Sequence, residues 1–318
     1  MLGLKLNILS AKIYILKIKI NIIEKTPFFK RKKEQQLFVN HFTLLSYIST
    51  FQESCFKRLF GTHAKSVLFE THNGALLSSP MDTEINRRLG HHGQYDLDKI
   101  HFLNKIIKKD YTVYFLGVHI GTLLIPLSYH ANKVIGFEAN PDTFEYLKYN
   151  LLLNNVSNAA IFNLGVYDKY GTSLFYKNKA NTGGSKIKPH SDQFIYNYDQ
   201  PTETIIKTVC LDDFVSSNGL PYPDVMIVDI EGAEYAALKM AGQCLSNCKY
   251  LYIEFVPHHL SNVANIDVNE FLSVIVPYFT KMVIVNSPNH GFYGEDIYKV
   301  LADLYAREVC VDLLFFNL

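Results

Sequence analysis

The sequence predicts a doubly wound α/β fold, a mainly parallel sheet with helices on both faces. Three observations predict it: short β-rich apolar runs alternate with helical patterns from Asp96 onward, a glycine-bearing turn follows the first run, and acidic residues stand where later runs stop. Strand and helix in alternation require crossover connections, which make neighbouring strands parallel and put helices on both faces. The 318 residues, 48% of them hydrophobic, suffice for one such core with an extension. We place the α/β domain at residues 96–318 and an N-terminal extension with a helical and hairpin cap at residues 1–95.

The N-terminal stretch is apolar but interrupted by Lys5, Lys12, Lys17 and Lys19. No run reaches the roughly 20 apolar residues of a membrane span, and no uninterrupted apolar stretch with a cleavage site marks a signal peptide. No transmembrane segment is expected. Residues 13–22 alternate apolar and polar in places, the period of a half-buried strand. Lys30, Arg31, Lys32 and Lys33 form a basic cluster that reads as a solvated face. Over residues 37–60, Leu37, Phe38, Phe42, Leu44, Leu45, Ile48 and Phe51 follow a roughly helical period. Phe69, Leu76 and Leu77 flank an Asn73–Gly74 turn signal that predicts a hairpin. Strand runs then fall at 112–116, 133–138, 159–164, 224–229, 250–255, 281–285 and 309–316, with helical patterns such as 141–154 and 234–242 between them. A sheet of this kind binds its ligand at the carboxyl ends of its strands, so the chemistry belongs where these runs stop.

Lys and Arg total 31 against 30 for Asp and Glu, a net charge of +1 that does not favour nucleic acid as a partner. Cys55, Cys210, Cys244, Cys248 and Cys310 are odd in number and scattered through apolar segments, which suits reduced thiols and a cytoplasmic location. Cys244 and Cys248 are four apart, but no second close Cys or His pair completes a zinc-ligand spacing, so no metal is expected.

The first run ends in Gly117-Val118-His119-Ile120-Gly121, where Gly117 permits a tight turn and close ligand approach and Gly121 permits close helix packing. Taken alone, that spacing also arises from packing. The second run ends at Glu138, 17 residues after Gly121, and Pro141 opens a helix. An acid so placed can accept two hydrogen bonds from a ribose diol, which points to a nucleoside-containing cofactor; the alternative is a surface charge at a strand end. A later run delivers Asp229, Glu231 and Glu234, three carboxylates whose repulsion calls for a cation or proton donor nearby. Glu231 and Glu234 can also serve as helix-dipole partners, so Asp229 is the stronger functional candidate. Glu254 closes the next run and is followed by His258 and His259. Glu254 can hold a substrate hydroxyl or order Asp229, and His258 titrates near neutrality, although a surface histidine pair is the competing reading.

Together these motifs resemble the FkbM family of S-adenosylmethionine-dependent methyltransferases, from about Leu68 to the C-terminus. The most specific element is DIEGAE from Asp229 to Glu234; GVHIG from Gly117, FEANP from Phe137 and TVCLDDF from Thr208 are similar to the family's other blocks in order. The resemblance implies a Rossmann-like class I methyltransferase fold with a mostly parallel seven-stranded sheet. It implies that S-adenosyl-L-methionine meets Gly117, His119 and Gly121 with its methionine and ribose parts, that Glu138 binds the ribose hydroxyls with Asn140 in the same block, and that Gly165 to Asp168 lie by the adenine. Asn181 to Ile187 would lie near substrate. Asp229 and Glu231 would face the reaction centre, and hydroxyl methylation of a sugar, glycan or other small molecule is the activity implied. One departure stands out: the family's acid two positions before Gly117 is Phe115 here. Asp229 can supply the missing contact to the methionine ammonium, or cofactor affinity is weakened.

In-line methyl transfer requires the acceptor oxygen about 3 Å from the methyl carbon, and a hydroxyl that gains acidity as it attacks needs a proton acceptor. Asp229, with Glu254 or His258 assisting, is expected to be that acceptor. Two alternatives remain open from the residues: a nicotinamide-dependent oxidoreductase, which would need a third glycine that Gly117 and Gly121 do not have beside them, and a degenerate fold serving as a binding or scaffold module.

Overall fold

The computed structural model describes residues 12–14 and 30–317. Residues 12–14 are helical rather than extended, and the rest of the strand expected over 13–22 lies outside the described residues. The chain then forms a long helix α1 (Lys30–Phe60), which opens on the basic cluster, and the expected hairpin β1 (Val67–Thr71) and β2 (Gly74–Ser78), antiparallel with Thr71 opposite Gly74. Helix α2 (Leu97–Leu103) follows, then β3 (Thr112–Leu116), β4 (Lys133–Phe137), helix α3 (Pro141–Leu153) and β5 (Ala159–Phe162). Short β6 (Gly165–Val166), β7 (Gly171–Lys177), β8 (Lys186–Ile187) and β9 (Thr202–Val209) come next. The chain ends with β10 (Val225–Val228), α4 (Glu234–Lys239), β11 (Tyr250–Phe255), β12 (Lys281–Ile284), β13 (Gly291–Tyr293), α5 (Glu295–Ala306) and β14 (Val311–Phe316).

All seven expected strand runs lie in one sheet of order β13-β12-β14-β11-β10-β3-β4-β5. The stretch from β11 through β10, β3 and β4 to β5 is parallel, while β14, β12 and β13 join antiparallel. The three-residue β13 makes the sheet eight strands rather than seven. The helical pattern over 234–242 ends at Lys239, and a second short helix starts at Gly242. The central strands β3 and β10 are buried at every position, and apolar at all but Thr112, because both faces are covered. Tyr114, Leu116, Met226 and Val228 point into the core beneath α4 and α5, whereas Val113, Phe115, Val225, Ile227 and Tyr252 point into the core beneath α2 and the hairpin.

The strand order reverses at β3 and β10, which pair directly, so the chain leaves both carboxyl ends beside one crevice. Strands β6, β9, β7 and β8 form a second, four-stranded sheet that sequence periodicity did not reveal. It covers one end of that crevice. The hairpin tip is tied to the same region by Asn73, whose amide donates to the carbonyls of Tyr95 (2.7 Å) and Thr122 (2.9 Å) and accepts from the Tyr95 amide at 2.8 Å. Among the described residues, no helix is long and apolar enough to cross a membrane.

Candidate active site

The parallel register puts three turns at one edge. The Asp229 amide donates to Leu116 O (2.9 Å), the Gly117 amide to Phe137 O (3.0 Å), and the Glu138 amide to Phe162 O (3.0 Å). Gly117 adopts φ +84°, and a Cβ there would stand 1.8 Å from the Asp229 carbonyl oxygen, so no other residue fits this turn without moving the next strand. Gly117, His119, Glu138, Gly165, Asp229 and Glu231 line one hollow over this edge. Its far end is apolar, with Leu164, Phe175 and Ile206 from the second sheet and its approaches.

Glu138 is buried at the hollow's centre. Its Oε2 accepts the His119 amide and its Oε1 the Asn140 amide, both at 2.8 Å. Burial raises the carboxyl to about 7 despite those bonds. A carboxylate has about four acceptor positions, and with the Val118 amide also directed at this one, a position remains for a ligand hydroxyl. His119 itself sits at φ +55°. Its ring Nε2 meets Thr182 Oγ1 at 2.7 Å, and burial lowers it to about 4, so the imidazole is neutral. Thr182 in turn donates its hydroxyl and its amide to Asp82, a fully buried carboxyl raised to about 6 by desolvation, which also caps the helix Thr83–Arg87 through the Ile85 amide. The segment around Thr182, which lines the hollow, is therefore pinned by a residue of the N-terminal region.

Asp229 stands where this hollow opens into a second one, which also holds Lys99, Tyr252, Glu254 and Asp312. Burial raises the Asp229 carboxyl while the Lys99 ammonium beside it pulls the other way. Glu254 is raised further, first by the Asp229 charge and then by burial, so Glu254 carries the proton of the pair. Lys99 is the cation that the acidic run called for at Asp229. Glu231, at φ +56°, has a second cation: Lys186 Nζ lies 3.1 Å and His259 Nε2 3.4 Å from its Oε2. Glu234 turns back on its own loop, with Oε1 accepting the Ile230 and Gly232 amides at 3.1 Å.

The remaining expected residues lie elsewhere. Gly121, φ +96°, packs on Ile125 and Leu147 and is not in the lining. The Asn140 side chain caps α3 by accepting the Asp142 amide, so only its backbone serves Glu138. Asp168 is exposed in the turn after β6, outside the hollow. His258 lies in a third hollow behind Glu231 and Glu254, where its Nδ1 is 3.1 Å from the Tyr196 hydroxyl. The neighbouring His259 is the one that reaches Glu231. Phe115 is 1% exposed and part of the lining, and the hollow stays open beside it. Asp96 and Tyr95 stand on the same lining, so an acid is present at that end although Phe115 is not one. Asp96, Lys99, His259 and Asp312 were missed in the sequence. Only Asp312, an acid inside the apolar last strand, left a visible signal.

The profile of a family described as the methyltransferase FkbM domain matches residues 116–283, just over half of the chain. The chain belongs to the FkbM methyltransferase family. Its main sheet is accordingly that of a Rossmann-like class I methyltransferase. The FkbM match excludes Asp82, Asp96 and Lys99 on one side and Asp312 on the other. Hexuronic acid methyltransferase AglP of Haloferax volcanii is 30% identical over 159 residues, 49% of this chain and 61% of that protein. The chain therefore spans less than two thirds of this relative's length. Among solved structures, an rRNA methylase from Streptococcus thermophilus aligns with a TM-score of 0.38 at 12% identity, over 70% of this chain and 95% of that one. The M. jannaschii tRNA m1G37 methyltransferase aligns with a TM-score of 0.39 at 13% identity, over 81% of this chain and 59% of that one.

Proposed function

We propose that this protein transfers a methyl group from S-adenosyl-L-methionine to a hydroxyl of a sugar, glycan or related small molecule, with residues 96–318 as the catalytic unit and residues 1–95 as its extension and cap. The observation that carries this reading is the convergence of Gly117, Glu138 and Asp229, distant in sequence, on one hollow. The hollow suits the donor in parts. Its apolar end fits an adenine, and Glu138 retains an acceptor position for a ribose hydroxyl. Asp96 and Asp229 offer carboxylates to a methionine ammonium where the family's usual acid is Phe115. Gly165 flanks the apolar end, and His119, neutral and held by Thr182, shapes the middle. Buried thiols at Cys210, Cys244 and Cys248 fit a reducing compartment such as the cytoplasm. The hexuronic acid specificity in the relative's name supports a sugar acceptor.

Bound donor supplies an electrophilic methyl on sulfur. The chain's part is to orient the acceptor oxygen, exclude water and take the hydroxyl proton as the C–O bond forms. Asp229, ionised beside Lys99, is the proton acceptor in this reading. Protonated Glu254 holds it in place, and Glu231 with His259 closes the other side. Calorimetry should show S-adenosylhomocysteine binding to the purified chain, and mass spectrometry should show methyl transfer to sugars. In Asp229→Asn, turnover should fall by about 10²- to 10⁴-fold, the usual worth of a general base. Full turnover with unchanged cofactor affinity in that variant would remove Asp229 from this role.

A further inference from the structure

Asp82 is a buried carboxyl that the proposed chemistry does not use. It is 0% exposed and lies outside the segment matched to the family. Its Oδ2 stands 4.0 Å from His119 Nε2, with the Thr182 hydroxyl hydrogen-bonded to both. The N-terminal extension sets its position. Met81 O accepts the Ser49 hydroxyl (2.7 Å) and the Thr83 hydroxyl donates to Gln52 Oε1 (2.9 Å), so α1 holds both chain neighbours of Asp82. The amides of Thr83 and Glu84 donate to Ala180 O at 2.9 and 3.3 Å, which draws the turn carrying Thr182 against the same helix.

The Thr182 hydroxyl has a single proton to give. It goes to Asp82, because an oxygen lone pair turned on a buried carboxylate would be repelled. Thr182 Oγ1 can then only accept from the imidazole, so Nε2 carries the proton of the neutral ring and Nδ1 the lone pair. Burial leaves Asp82 at about 6 and His119 at about 4, so at pH 8 the carboxyl is ionised and the ring neutral, as this pattern requires. The His119 ring lines the donor hollow, and its amide holds Glu138. We infer that Asp82 is a positioning residue for this hollow: through Thr182 it locks His119 as the Nε2–H tautomer, which keeps Nδ1 an acceptor for an N–H or O–H group of the bound methyl donor. In the other tautomer Nδ1 carries a proton and opposes such a group. The N-terminal extension thereby tunes the donor site without touching the ligand.

The inference rests on the proposed function only in naming that ligand a methyl donor, because the tautomer is a property of the free protein. Nitrogen-15 NMR of the full chain labelled at histidine, at pH 8 and without ligand, reads it, with His119→Gln assigning the signal. The wild-type ring should be protonated on Nε2. Asp82→Asn keeps an oxygen for the Ile85 amide and turns an N–H toward Thr182 Oγ1. The threonine proton should then swing to His119 and the ring switch to Nδ1–H, as happens when an amide replaces a carboxylate that orients an imidazole. Thr182→Val, close to threonine in volume, removes the link and should leave the ring a mixture of tautomers, while Thr182→Ser should restore the wild-type signal. By calorimetry, Asp82→Asn and Thr182→Val should each raise the S-adenosylhomocysteine Kd by about 3- to 10-fold, the worth of one hydrogen bond. A wild-type ring protonated on Nδ1, or a ring unchanged in Asp82→Asn and Thr182→Val, overturns the relay. So does a lowered thermal midpoint in Asp82→Asn with the tautomer as before, which is what a merely structural role would give. An unchanged Kd in a variant whose tautomer has switched overturns the ligand contact. Expected tautomers without any S-adenosylhomocysteine binding by the wild type keep the relay and remove the methyl-donor reading.

Discussion

Glu138 concentrates the chemistry of the donor hollow at a single residue. Its amide contacts, from His119, Asn140 and Val118, fix the carboxylate's direction, and burial raises it to about 7. Hydroxyls that donate to it favour its charged form, so ligand binding should release its proton. S-adenosylhomocysteine affinity should therefore rise as pH increases through about 7. In Glu138→Gln the affinity should drop by about 10- to 100-fold, as for hydrogen bonds to a charged partner, and the pH dependence should flatten. Calorimetric titrations from pH 5.5 to 8.5 test both, and a wild-type Kd that does not move across that range disposes of the ribose contact. Asp229 behaves in the same sense: because its carboxyl is raised, acid should cut turnover earlier than an ordinary carboxylate base would allow. At this scale the sequence was informative where spacing carries meaning. Glu138 follows a glycine turn, and Asp229 ends an apolar run. Lys99 had no such mark, since a lysine in a short amphipathic helix looks alike whether it faces water or several carboxylates.

Among the elements, the hairpin shows how a cap is fastened to an α/β sheet by amides rather than by apolar area alone. Asn150, fully buried on α3, accepts the Leu77 amide at 2.7 Å and donates to the carbonyls of Leu77 (3.1 Å) and Ile120 (2.8 Å). One turn on, Asn154 accepts the Ala75 amide at 2.9 Å and donates back to the Ala75 carbonyl at 2.8 Å. The two asparagines thus extend β2 as a paired strand would. Asparagine is a poor helix former, so Asn150 inside α3 has no local rationale; Asn154 stands just beyond it as the C-cap. Asn150→Ala should cost about 2–4 kcal/mol in denaturant unfolding, because it strands several buried backbone groups. A loss below about 0.5 kcal/mol, the size of a surface change, would show that the hairpin docks by other means. The hairpin and the strands of the main sheet were legible from period and turn chemistry. The second sheet was not, because β6 and β8 are two residues long and β9, whose burial alternates, turns Ile205 outward and Thr208 inward, so its residue types do not alternate.

Across the whole molecule, Asp82, Glu138 and Glu234 are carboxyls that burial raises, to about 6, 7 and 7. Each binds a proton more tightly folded than unfolded, so each lowers stability as pH rises from the unfolded values of 3.8 and 4.5 to the folded ones, with no further loss above them. Glu234→Gln keeps an oxygen for the Ile230 and Gly232 amides and removes the buried charge. That variant should exceed the wild type by about 1–3 kcal/mol at pH 8, at 1.36 kcal/mol per pH unit of displacement, and the gap should close toward pH 5. Thermal melts at the two pH values decide it, and equal destabilisation at both would contradict the charge argument. By itself the sequence determined the order of strands and helices, the parallel sense of the sheet's centre and the turns where ligands bind, since periodicity and glycine placement act over a few residues. Only the tertiary structure decided which charges meet. Lys99 pairs with Asp312 and its charge bears on Asp229, His259 rather than His258 reaches Glu231, and Asp82 reaches Thr182, because electrostatic pairing and burial depend on distance in space, which no local pattern encodes.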